Sequence, residues 1–173
     1  MSARIIAAVE DVLQQGLALL SGIAPTTYSL MLGTPYEASV GQHYRHVLDH
    51  FICLATGLDS GRVDYDQRSR NRDIENDVEY ARGITTMLLH QFQNLSADDL
   101  EDSCEVVSSV GYRDAEAESI GSTVGREIAY SVGHAIHHFA IVRLLCAELD
   151  VSVPSEFGIA PSTLKYRATQ AAS

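Results

Sequence analysis

The chain has 173 residues, 46% of them apolar and 20% charged, which suits one globular domain with a core that needs no staple. Its formal charge is −11 and no basic cluster stands clear of acids, so neither a nucleic acid nor an anionic membrane surface is an expected partner. Cys53, Cys104 and Cys146 are odd in number, far apart and without a CxxC pair, which reads as small buried hydrophobes in a reducing cytoplasm.

Helical patterning begins almost at once. Apolar residues at Ile5, Val9, Val12, Leu13, Leu17 and Leu20 predict a first helix over 3–20. Glu10 and Asp11 interrupt it, so no signal peptide is expected, and no run reaches the roughly 18 apolar residues of a membrane span. A loop with Pro25, Gly33, Pro35 and Tyr36 leads to a second helix over 37–55, which Gly57 is placed to stop. The charge-dense stretch from Asp64 to Arg70 precedes a third helix over 72–92, with its stripe at Ile74, Val78, Ala81, Thr85, Leu88 and Phe92. Between the third and fourth helices the texture changes. Glu105 to Val110 is β-branched and Ser-rich, and a polar stretch follows to Gly121, so an irregular crossover with room for one short hairpin is expected. The fourth helix covers 124–149, with Ser122 or Thr123 as its N-cap. Pro154, Gly158 and Pro161 mark the tail as non-helical and laid on the surface. Residues 1–173 therefore read as a single all-α domain of four long helices.

Seven histidines occur, and six of them fall on the second and fourth helices. At about 100° per residue, His43, His46 and His50 share one narrow stripe, bordering an apolar flank of Val40, Val47, Phe51 and Leu54. His134 and His138 are i, i+4 and point the same way, beside Ile128, Val132, Phe139 and Val142. Such a pair sets two imidazoles about a metal's width apart, and a third from a facing helix leaves positions open on the ion. The alternative is a set of core histidines satisfied by hydrogen bonds to the protein.

The chain resembles the DinB superfamily, of the DinB/YfiT-like kind. His46-Val47-Leu48-Asp49 matches the His-hydrophobic-x-acidic pattern of the second helix, and His134-Ala135-Ile136-His137-His138 the HxxxH of the last. The resemblance extends to Val63-Asp64-Tyr65-Asp66-x-Arg68, to Gly125-Arg126-Glu127 and to Phe157-Gly158-Ile159-Ala160-Pro161-Ser162-Thr163. It implies an up-down-down-up four-helix bundle with a long crossover before the last helix, frequent homodimers, and a divalent metal held by His46, His134 and His138. Relatives include enzymes that use low-molecular-weight thiols. Zinc is the first expectation for the ion, with nickel or iron also suited to imidazole. His43 and His50 flank His46, so either is placed to replace it or to add a fourth ligand.

Other residues read as follows. His137 lies off the core edge and reads as a polar surface or interface residue, and His90, which stands alone, reads as structural. Glu127, two turns before His134 on the same face, is an acceptor for a ligand's outer hydrogen, a general base, or simply an acid suited to the helix N-terminus. His50 is the other catalytic candidate, and Asp49 could orient an imidazole. The alternating charges from Asp64 to Arg82 read as an ion-paired face and helix start. No Walker A loop, dinucleotide fingerprint or GxSxG elbow is present. The expected function is a metal-dependent enzyme that activates a water or a thiol, of transferase, isomerase or hydrolase type. Its rival is a non-catalytic, stress-related metal-binding or interaction protein. A second stripe on the fourth helix, Ala129, Gly133, Ile136, Ala140, Leu144 and Ala147, suggests a homodimer unless the crossover or tail covers it.

Overall fold

The computed structural model describes residues 2–111 and 117–171. The chain is mostly helical. Its elements run α1 (Ser2–Gly22), α2 (Pro25–Tyr28), α3 (Val40–Gly57), β1 (Arg62–Asp64), α4 (Arg72–Asn76), α5 (Val78–Gln93), β2 (Ser103–Ser108), β3 (Glu118–Thr123), α6 (Val124–Glu148) and α7 (Pro161–Ala171). α1 packs on α5 and α6, and α3 packs on α6 and α5, so the four long helices enclose one core. α1 is long and apolar enough, by length and composition, to cross a membrane. Here Val9, Val12, Leu13, Leu19 and Leu20 are instead buried in that core.

The expected all-α class needs one amendment, because the crossover holds strands. β2 and β3 pair antiparallel with Val106 opposite Ile120, the short hairpin the Val and Ser pattern allowed. β1 then adds a parallel third strand, with Val63 opposite Val106. Three residues are too few to show an alternating pattern in sequence. Residues 112–116, between β2 and β3 in sequence, lie outside the described residues.

Two other expectations are corrected. The third helix is not continuous over 72–92. Asp77 leaves helical geometry at φ −121° and ψ 108°, ends α4 and caps α5 by accepting from the backbone of Glu79 and Tyr80. A short polar side chain that can satisfy orphan amides beats the apolar periodicity at that point. The tail is also not wholly irregular, since Pro161 opens α7 instead of breaking structure. A ring with no N–H to lose and φ already near the helical value suits the first turn.

Caps and close approaches then position the two histidine helices. Ser39 and Gln42 form a reciprocal capping box at the start of α3. Gly41 lets α4 lie against α3, because a Cβ there would sit 2.0 Å from the Glu75 carbonyl oxygen. Thr123 caps α6 by accepting from the Arg126 amide. Tyr44 of α3 stacks on Phe139 of α6, their ring centroids 6.1 Å apart, and Phe139 stacks on Phe157 of the tail at 4.7 Å. Tyr44 Oη lies 2.9 Å from Thr85 Oγ1, whose own hydrogen goes to the Ala81 carbonyl, so Tyr44 is the donor. These contacts lock the facing surfaces of α3 and α6 in register.

Candidate metal centre

The register brings His46 of α3 against His134 and His138 of α6. One ligating atom from each lies within 4.8 Å of the others. Ring centroids are 4.4 Å apart for His46 and His138, 4.6 Å for His134 and His138, and 4.9 Å for His46 and His134. His46 Nε2 faces His134 Nε2 at 3.0 Å. Zinc–nitrogen bonds of about 2.0–2.1 Å in a tetrahedral site place two ligating nitrogens about 3.3–3.4 Å apart. The observed spacing is close to that, so the donor set fits an ion of this kind.

The flanking histidines enter too, each in its own way. His43 Nδ1 lies 3.1 Å from His138 Nδ1, an outer contact that leaves the far nitrogen of His138 free. His50 is 5% exposed, packs on His134 with centroids 3.9 Å apart, and stacks on Tyr65 at 5.1 Å. Tyr130 stacks on the outer side of His134 at 6.0 Å. Burial is the main cause that pushes His46 down to about 4 and His50 and His138 down to about 3. Neighbouring imidazoles push all three the same way, and the Arg68 guanidinium adds to this at His46 and His50. His43 and His134 are lowered as well, again chiefly by burial. Such rings stay neutral at physiological pH, the form in which imidazole binds a metal.

Arg68 is the residue that sequence reasoning missed. The charged run from Asp64 to Arg82 does contain ion pairs, Arg72 with Glu75 and Arg82 with Glu79. Arg68, by contrast, turns inward, with Nη1 3.0 Å from His46 Nδ1 and 3.3 Å from His50 Nε2. Local polar contacts aim it there. The Tyr65 amide extends the β1–β2 ladder to Val107, Asp64 then accepts from the Asp66 and Gln67 amides, and Asp66 holds Ser109. The available signal was the Asp64-Tyr65-Asp66-x-Arg68 stretch, already part of the resemblance.

The other candidates fall into place around this centre. Glu127 is 6% exposed and accepts from Tyr65 Oη at 3.0 Å and from Ser122 Oγ at 2.5 Å, so both its oxygens are engaged. Asp49 does not orient a histidine through its bonded oxygen, which pairs with Arg45 at 2.8 Å. Burial pushes its carboxyl up, against the pull of Arg45. His137 and His90 are exposed. Cys53 and Cys146 are pushed up to about 11 by burial, so neither thiol is a ready nucleophile. A cavity of about 230 Å³ is walled by Tyr65, Val106, Ile120, Arg126, Glu127 and Tyr130; no histidine lines it, but Tyr65 and Tyr130 also pack on His50 and His134.

No protein-family model matches the sequence. The fold, however, is DinB-like. The crystal structure of a DinB-like protein from Bacillus subtilis matches with a TM-score of 0.63 at 16% identity, covering 91% of this chain and 99% of that one. In sequence, the chain is similar to the FK506-binding protein 5 of Rhizopus delemar, 36% identical over 104 residues, or 60% of this chain. The match takes in 27% of that protein, so this chain spans about a quarter of the length of the curated relative it matches.

Proposed function

We propose that the protein is a cytoplasmic metal-dependent enzyme in which His46, His134 and His138 hold one divalent ion, zinc before nickel or iron. The observation that carries this reading is the convergence of three ligating atoms within 4.8 Å, all from rings that burial keeps neutral. When bound, such an ion would keep its full charge and favour ionisation of a water or thiol near neutral pH. Tyr65 and Tyr130 shield the histidines from the cavity side, and Glu127 holds Tyr65 in place through its hydroxyl. His50 packs on His134 and turns Nε2 to Arg68, and its Nδ1 has no hydrogen-bond partner among the described residues. On this reading the cavity beyond Tyr65 and Tyr130 would receive the substrate, and a low-molecular-weight thiol is the one that the DinB resemblance suggests. On the same reading the four long helices run up-down-down-up, and the exposed ends of the α6 stripe, Ala129, Gly133, Leu144 and Ala147, join two copies. The tail already lies against its middle, with Gly158 on the backbone of Ala140.

Elemental analysis of protein purified without a nickel column should find about one equivalent of metal. His46→Ala, His134→Ala and His138→Ala should each lose it while the helical circular dichroism persists. A metal-free wild type that cannot be loaded would overturn the reading. Sedimentation at micromolar concentration checks the dimer, and a monomer mass would end that part of the proposal.

A further inference from the structure

A guanidinium only donates hydrogen bonds, so the nitrogens that Arg68 faces, His46 Nδ1 and His50 Nε2, present lone pairs. A neutral His46 then carries its hydrogen on Nε2 and donates to His134 Nε2 at 3.0 Å. An ion on His46 Nε2 needs the lone pair of that nitrogen. The ring hydrogen then sits on Nδ1, against an Arg68 N–H that offers no acceptor. Metal-bound histidines normally turn their outer N–H to an acceptor. When the site is loaded, Arg68 can keep its bond to His50 Nε2 but not its bond to His46.

Two polar atoms nearby lack a partner. Arg68 Nε and Asp49 Oδ1 are both buried, and neither makes a hydrogen bond among the described residues. The first only donates and the second, on an ionised carboxyl, only accepts, and leaving either unmade in a buried place is costly. Burial pushes the Asp49 carboxyl up, whereas Arg45 first and Arg68 next pull it down. Arg68 also pulls down the Cys53 thiol that burial and then Asp49 push up, so the three groups are neighbours. His50 Nδ1 is a further buried atom without a partner, but its side chain leaves α3 about 100° around the helix from that of Asp49. We propose that loading the site hands Arg68 from His46 to Asp49. The guanidinium keeps His50 Nε2 and closes its Nε–H on Asp49 Oδ1, which frees His46 Nδ1 and makes Asp49 a positioning residue for the metal. This rests on the metal reading above. It also ties the centre to α4, because Asp49 Oδ2 pairs with Arg45 and Arg45 with Glu75, at 2.8 Å each.

Zinc affinity by chelator competition, in a cycle of wild type, Asp49→Asn, Arg68→Met and the double variant, tests the coupling. Arg68→Met keeps the apolar stem and removes the donors. Asp49→Asn should weaken zinc about tenfold in the wild-type background, since Arg68 then stays on His46, and by no more than about twofold in the Arg68→Met background. In 15N-labelled wild type the Arg68 Nε–H should move downfield and exchange more slowly with water when zinc is added, and should do neither in Asp49→Asn. A wild type that binds no zinc would overturn the metal reading together with this inference. Zinc bound with equal losses in both backgrounds, or with the Arg68 Nε–H unmoved, would overturn this inference alone. So would Asp49-dependent protection that appears on His46 Nδ1–H in place of Arg68.

Discussion

His43 and His46 sit one turn apart on α3, yet the structure separates their roles. His46 points a nitrogen at His134, whereas His43 touches the far side of His138 through Nδ1. Outer partners of a metal ligand commonly contribute 10–100-fold in affinity, far less than a ligand itself. His43→Ala should therefore weaken zinc binding by about 10–100-fold in a chelator competition, while His46→Ala abolishes it. Equal losses would make His43 a fourth ligand. The HxxxH pair was legible because helix geometry alone aligns i and i+4. The choice among His43, His46 and His50 was not legible from geometry, since all three share a stripe and only the rotation of α3 against α6 selects one. Arg68 was further out of reach. Its aim depends on a strand, a turn at Asp64 and a contact from Asp66 to Ser109, none of which has a period.

Among the elements, α1, α3 and α6 follow their apolar spacing closely, because each buries one continuous stripe. The misses share one cause, a local polar or backbone contact that overrides periodicity. Asp77 interrupts the third helix by capping α5, Pro161 starts a helix, and Pro25 does the same for α2. Gly41 illustrates how much one such contact controls. A helical Gly→Ala change ordinarily stabilises by about 1 kcal/mol. At position 41 the new Cβ would collide with the Glu75 backbone, and α4 would have to move away. The expected result is a net loss of about 1–3 kcal/mol by urea unfolding, the usual cost of overpacking. Glu75 would carry its 2.8 Å bond to Arg45 away with it, loosening the pair that also holds Asp49. A stability gain in Gly41→Ala would show that the α3–α4 contact is softer than the backbone geometry requires.

At the scale of the whole molecule, the histidine cluster makes stability a function of acidity. His46, His50 and His138 have folded-state values of about 4, 3 and 3, below the ordinary 6.5. The unfolded chain therefore binds more protons than the folded one as pH drops below that value. Their contribution is complete above about pH 6.5 and is lost as pH falls toward 4 and 3. Asp49 acts in the opposite sense, because burial favours its protonated form. It is one group against three. The melting temperature of metal-free protein should fall steadily from pH 7 to pH 4, and less steeply in His138→Asn. Zinc should steepen the fall, since protons then compete with the ion for the same rings. A flat profile in the metal-free wild type would mean the rings are more open to water than the structure places them.

The separation of His46 from His134 by 88 residues has a kinetic consequence. Their meeting requires α3 and α6 to close a loop that spans the strands and α5, which is a slow, non-local event for a chain otherwise built from local helices. During refolding, helical signal should rise first, and the colour of captured Co(II) only after α6 has docked. The ion would then act as a clock for the last step of assembly.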